Sequence, residues 1–126
     1  MDETSLGEKE MFFVYFWTTW CNTCVRTMPD LANLAEMYDG RVGFFSLLGD
    51  FDRGRETAIR IKEESGVQFF TFNANHYEFN ELMEALHTGF VPTSVIIGRD
   101  GNIIGEPIVG GGINRLQTAI ENALGG

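Results

Sequence analysis

Apolar positions along the chain fall into two kinds of pattern. In Met11-Phe12-Phe13-Val14-Tyr15-Phe16-Trp17 every position, odd or even, is apolar or aromatic, as in a central parallel strand covered on both faces. From Asn22 to Tyr38 the residues Val25, Met28, Leu31, Ala32, Ala35 and Tyr38 recur at helical spacing, which predicts a helix with one buried side. Pro29 inside it removes a hydrogen bond and predicts a kink, and Gly40 ends it. Val42-Gly43-Phe44-Phe45-Ser46-Leu47-Leu48 is a second buried strand, closing a βαβ unit of right-handed crossover.

Beyond the turn Gly49-Asp50-Phe51-Asp52, a helix is predicted from Arg53 to Ser65, with Ala58, Ile59 and Ile61 as apolar contacts and Gly66 as its stop. Gln68-Phe69-Phe70-Thr71-Phe72 predicts a short strand. Asn75, with Glu78 after it, is placed to cap a helix that carries Phe79, Leu82, Met83 and Leu86 on one face. Ser94-Val95-Ile96-Ile97-Gly98 is a strand, Arg99-Asp100-Gly101-Asn102 a hairpin turn, and Ile103-Ile104-Gly105 the antiparallel return. Asn114, with Gln117 after it, starts a last helix whose Leu116, Ala119, Ile120 and Ala123 face the sheet, before Gly125-Gly126. The order β-α-β-α-β-α-β-β-α defines an α/β class, with a polar tail over 1–9 and one domain over 10–126.

Length agrees with one domain, since 126 residues can remove about two thirds of their unfolded surface from water without a disulfide staple. Hydrophobic residues at 44%, charged residues at 21% and 11 Phe describe a soluble globular chain with an aromatic core. A net charge of -9 argues against nucleic-acid binding, which draws on Lys and Arg to neutralise phosphates. No stretch reaches the roughly 20 apolar residues of a membrane span. Met1 to Glu10 is polar and acidic, unlike a signal peptide, so the expectation is a cytosolic protein or one whose leader precedes this sequence.

The two cysteines, Cys21 and Cys24, carry the candidate chemistry. They follow the first strand and open the first helix, where residues three apart have Cβ atoms about 5–6 Å apart and can be bridged or reduced with little backbone movement. So small a loop contributes little chain-entropy stabilisation, which disfavours a structural role and favours redox exchange over a metal half-site or an inert pair. A sulfur at the helix N-terminus meets unpaired amides and the positive end of the dipole, so Cys21 is the expected attacking thiolate and Cys24, one turn further in, the resolving one.

Phe16-Trp17-x-x-Trp20-Cys21-x-x-Cys24, Pro29, Val91-Pro92-Thr93 and the Asp100-Gly101 hairpin together resemble the thioredoxin superfamily, and within it the TlpA/ResA-like branch of bacterial thiol-disulfide oxidoreductases. The resemblance covers residues 10 to 124. It implies a thioredoxin-like domain with a central mixed five-stranded sheet, helices on both faces, and the extra strand and helix at about 68 to 87 as the insertion that separates this branch from plain thioredoxin. The implied sheet order is inserted strand, second strand, first strand, then the hairpin pair. It also implies a cis Pro92 beside the cysteines, a conformation that costs an X-Pro bond only about 0.5–1 kcal/mol. Val91 would then offer its backbone to a docked peptide, with Thr93 beside it. The implied activity is disulfide exchange with protein substrates, re-reduced by a separate thiol-disulfide donor, in a monomer that needs no cofactor and binds no metal. Relatives of this branch commonly act outside the cytoplasm, which points to the cell envelope.

Two positions depart from the pattern. Tyr15 stands where thioredoxin has an acidic residue that helps deprotonate the second cysteine, and Asn22-Thr23 stands where ResA-like relatives often carry Glu and Pro. Cys24 is therefore expected to be activated by water or by a group from elsewhere, with slow resolution unless an acid folds in. The potential is left open within the span of relatives, about -270 to -120 mV. Trp20 reads either as a substrate contact or as a core-edge aromatic, and His87 as a neighbour of the site or a surface residue. Thr18-x-x-Cys21 matches a thiol peroxidase fragment, although Val14 replaces the proline expected before it. A zinc or copper module would draw on His76 or His87, neither at finger spacing, since two thiolates do not complete a tetrahedral site.

Overall fold

A computed structural model describes residues 9–125. The polar tail assigned to 1–9 thus lies outside the described residues except for Lys9, as does Gly126. Five strands form one mixed sheet: β1 (Met11–Trp17), β2 (Val42–Leu48), β3 (Phe70–Asn73), β4 (Thr93–Gly98) and β5 (Ile103–Val109), in the order β3-β2-β1-β4-β5. β1 pairs in parallel with β2, from Met11 opposite Val42 to Trp17 opposite Leu48, and β2 in parallel with β3. On its other side β1 meets β4 antiparallel, with Phe16 opposite Thr93. β4 and β5 form the hairpin, its register shifting between Ser94 and Ile96.

The two-faced pattern of β1 divides the core. Phe13, Tyr15 and Trp17 pack with Met28, Leu31 and Leu34 of α1 (Asn22–Met37), Ala58 of α2 (Phe51–Ser65), and Leu116 and Ile120 of α4 (Ile113–Ala123). Val14 lies in a second cluster with Leu47, Val95, and Met83 and Leu86 of α3 (Asn80–Leu86). Helices α1 and α2 share a face because two right-handed crossovers advancing in the same direction must. α3 returns across the opposite face and so sandwiches the sheet.

Several boundaries differ from the pattern reading. α2 starts at Phe51 rather than Arg53 because the Phe51 ring packs against the first cluster, while Ile59, expected among the apolar contacts, is half exposed. β3 starts at Phe70, not Gln68. Asn75 does not cap α3: its amide donates to Gly49 O (3.2 Å), and a 3-10 turn at Tyr77–Phe79, led by His76, precedes the helix. Asn114 lies inside α4, which follows Gly112 and has no side-chain cap. β5 continues past Gly105 to Val109; on an edge strand the missing amide of Pro107 can face outward at no cost. α1 runs through Pro29 as one helix.

Buried polar side chains tie three of the strands together, whereas the Ser94 hydroxyl of β4 is buried without a hydrogen-bond partner. The Trp17 indole donates to Ser46 Oγ (3.1 Å), which is also bonded to Thr71 Oγ1 (2.7 Å), linking β1, β2 and β3 on one face. At the hairpin, the backbone and side-chain amides of Asn102 both donate to Asp100 and hold its carboxyl below the ordinary carboxylate range. Gly101 takes the left-handed conformation the turn needs (φ 86°).

Candidate active site

β1 delivers the chain to the carboxyl end of the sheet, where sites of open α/β sheets lie. There Cys21 is the N-cap of α1, in extended backbone conformation, and its Sγ accepts from the Cys24 amide (3.1 Å). The two cysteines are joined as a disulfide, with Cα atoms 5.2 Å apart. Cys21 retains 8% exposure and Cys24 none, so an incoming sulfur can reach only the first. The first turn of α1 holds no acidic residue, which leaves the helix dipole unopposed in stabilising a Cys21 thiolate.

The β4 approach forms the facing wall. The Val91-Pro92 peptide bond is cis, and Cys21 Sγ lies 3.7 Å from Val91 O. Thr93, fully buried, donates from Oγ1 to Phe90 O (2.7 Å) and is bonded to Thr88 Oγ1 (2.9 Å), which folds the Thr88–Thr93 turn upon itself. Gly110 N donates to Pro92 O (2.9 Å), tying the turn to the end of β5. Beside this wall is a shallow depression of about 310 Å³ lined by Phe16, Trp20, His87, Gly89, Phe90 and Val91. Trp20 and Phe90 are largely exposed along it, and the His87 ring meets Phe16 edge-on (centroids 6.0 Å).

Around Cys24 the chemistry is neutral. Tyr15, buried beneath α1, donates its hydroxyl to Cys24 O (3.0 Å), and burial raises its phenol well above the ordinary range. Among the described residues no carboxylate is hydrogen-bonded to either cysteine. An unfolded phenol ionises near pH 10 and the folded one higher, so the stabilisation from keeping Tyr15 neutral is complete below about pH 10 and is lost as pH rises beyond it. In urea titrations the parent is therefore expected to lose more stability than Tyr15→Phe between about pH 7 and pH 11. Equal losses would mean that the phenol titrates freely.

The structure thus brings Cys21, Cys24, Trp20 and Val91 together at one end of β1, with Pro92 and Thr93 in the adjoining turn; His87 lines the same depression and His76 does not. No group of three His, Cys, Asp or Glu side chains converges among the described residues. Pattern reading missed Thr19 and Asp50: the Asp50 carboxylate accepts from Thr19 N (3.0 Å) and from Thr19 Oγ1. One signal was available, since Gly54 interrupts a helical pattern, and such a glycine often marks close packing.

A disulfide pair at the end of the central strand of a mixed sheet, opposite the Val91-Pro92 turn, belongs to the thioredoxin class of fold. The model of the Thioredoxin-like family matches residues 9–103, and the chain belongs to that family. The thiol-disulfide oxidoreductase ResA of Bacillus thuringiensis is 30% identical over 98 residues, which cover 78% of this chain and 54% of that protein. The chain therefore spans about half the length of the curated relatives it matches. Two solved structures share the fold. One is a secreted Mycobacterium tuberculosis disulfide oxidoreductase homologous to Escherichia coli DsbE (TM-score 0.66, 18% identity, covering 90% of this chain and 81% of that one). The other is the thioredoxin domain of a Bacteroides vulgatus thiol-disulfide oxidoreductase (TM-score 0.71, 17% identity, covering 97% and 84%).

Proposed function

We propose that this protein is a thiol-disulfide oxidoreductase that exchanges disulfides with protein substrates through Cys21 and Cys24. The observation that carries the reading is the asymmetry of the pair: Cys21 is accessible at a helix N-terminus opposite Val91 O, and Cys24 is sealed beneath it. In the reducing direction, Cys21 thiolate attacks one sulfur of a substrate disulfide and the other sulfur leaves as a thiolate that takes up a proton. Cys24, deprotonated, then attacks the Cys21 sulfur and expels the second substrate thiolate. Two electrons have passed to the substrate and the Cys21–Cys24 bond has formed. A separate dithiol donor reverses that bond in the same two steps.

The Val91 backbone is the edge on which an extended substrate segment pairs, with Pro92 and Thr93 setting its place and Trp20 offering a flat apolar contact. Tyr15 supplies no base, so Cys24 loses its proton to water admitted in the mixed disulfide, and resolution is the slow step. The protein works as a monomer in the cell envelope; ResA-type relatives and the secreted mycobacterial structure support that location. Equilibration with glutathione, read by mass spectrometry of alkylated thiols, tests the reading. The expected result is a single two-electron transition within about -270 to -120 mV, together with catalysis of insulin reduction or thiol oxidation. A pair that equilibrates but catalyses neither, or one that consumes peroxide faster than it exchanges disulfides, would overturn it.

A further inference from the structure

Between the end of β2 and the reacting loop lies a contact that disulfide exchange as described does not use. Asp50 follows Gly49 at the end of β2, and both of its carboxylate oxygens are taken by Thr19, one by the amide (3.0 Å) and the other by the hydroxyl. Thr19 is two residues before Cys21 on the loop that also carries Trp20. The same aspartate anchors α2, because its carbonyl accepts from Arg53 N (3.2 Å) and Gly54 N (2.7 Å). One residue thus joins a strand end, a helix start and the loop that presents the reactive sulfur.

Gly54 shows that this junction is built to close tolerance. It is buried in the first turn of α2, where glycine is a poor helix former. A Cβ there would lie 2.6 Å from Asp50 Oδ2, 2.8 Å from Thr19 Oγ1 and 2.9 Å from Thr19 Cγ2. No side chain larger than hydrogen fits without parting the two residues. The backbone beside them is tied as well, Gly49 N donating to Trp17 O (2.9 Å).

We propose that Asp50 is a positioning residue which, pressed against Thr19 by the helix face at Gly54, fixes the Thr18–Trp20 loop so that the Cys21 sulfur stays over the α1 N-terminus. The proposal rests on the reading of Cys21 as the attacking sulfur. Its test uses simple alkylation and needs no substrate, so it reports even if the protein exchanges no disulfides. Sulfur held over the α1 amides ionises more readily than sulfur free to swing away.

The experiment measures the pH profile of iodoacetamide alkylation of Cys21 in a Cys24→Ser background, with circular dichroism to verify folding. Asp50→Ala and Gly54→Ala are both expected to move the profile to higher pH and to slow alkylation near neutrality by about three- to tenfold, a tenfold change being one pH unit of thiol ionisation. Asp50→Asn keeps an oxygen for the Thr19 amide and an NH2 for its hydroxyl, and should stay within about twofold of the parent. Thr19→Ser should likewise keep the profile and Thr19→Val shift it. The proposal is overturned if Asp50→Asn shifts the profile as far as Asp50→Ala, because charge rather than contact would then be responsible. It is overturned equally if Gly54→Ala and Thr19→Val leave the profile unmoved. Should Asp50→Ala fail to fold, the Gly54 and Thr19 variants decide the matter.

Discussion

Cys24→Ser is expected to turn the protein into a trap that accumulates a covalent adduct with its substrate through Cys21. Cys24 has no exposed surface and Cys21 does, so the mixed disulfide forms only on the outer sulfur, and without the inner one nothing displaces it. The adduct should survive denaturing electrophoresis without reductant and disappear with it. Cys21→Ser should give no adduct, since the remaining thiol is sealed beneath α1. Turnover should fall by about a thousandfold or more in both variants, because two groups acting as one unit lose nearly everything when either is removed. Adduct formation through Cys24 in the Cys21→Ser variant would show that the two sulfurs are equivalent in solution and would refute the assigned order of attack.

The largest loss of stability is expected for Trp17→Ala. Trp17 is fully buried on the sheet face covered by α1 and donates its indole hydrogen to Ser46, which in turn contacts Thr71. Truncating a buried aromatic of this size costs about 3–5 kcal/mol. Stranding the Ser46 hydroxyl adds at most a further ~1 kcal/mol, because Thr71 remains as its partner. Set against a typical total of about 5–15 kcal/mol, that is a large share of the stability and lowers the unfolding midpoint accordingly. Urea denaturation followed by fluorescence from Trp20 or by circular dichroism would measure it. A loss below about 2 kcal/mol would mean that the space under α1 collapses around the missing ring.

Much of this architecture is legible in the sequence because it follows from local patterns. The two-faced run of β1, the helical spacing from Asn22 onward and the Asp100-Gly101 turn each carry their own signal, and the elements they define appear in order. Cys21 and Cys24 are legible for the same reason: chemistry concentrated in four consecutive residues needs no long-range information. Less was legible where a distant partner decides. Asn75 has the composition of a helix cap, yet Gly49 at the end of β2 captures its amide. Ile59 has the hydropathy of a core residue but falls on the outer side of α2. The Asp50–Thr19 contact joins residues on different strand ends, and only the parallel pairing of β1 with β2 brings them together. Pro107 hides the extension of β5 because a break in the middle of a sheet is harmless at its edge.

The pairing of Phe16 with Thr93 has a consequence for the order in which this protein matures. Both sulfurs leave the ribosome before the wall opposite them, which is encoded some seventy residues later and arrives only when β4 slides in beside β1. A nascent chain therefore presents a sulfur pair with no partner groove, open to any passing oxidant, and gains selectivity only as the later β4 segment folds home.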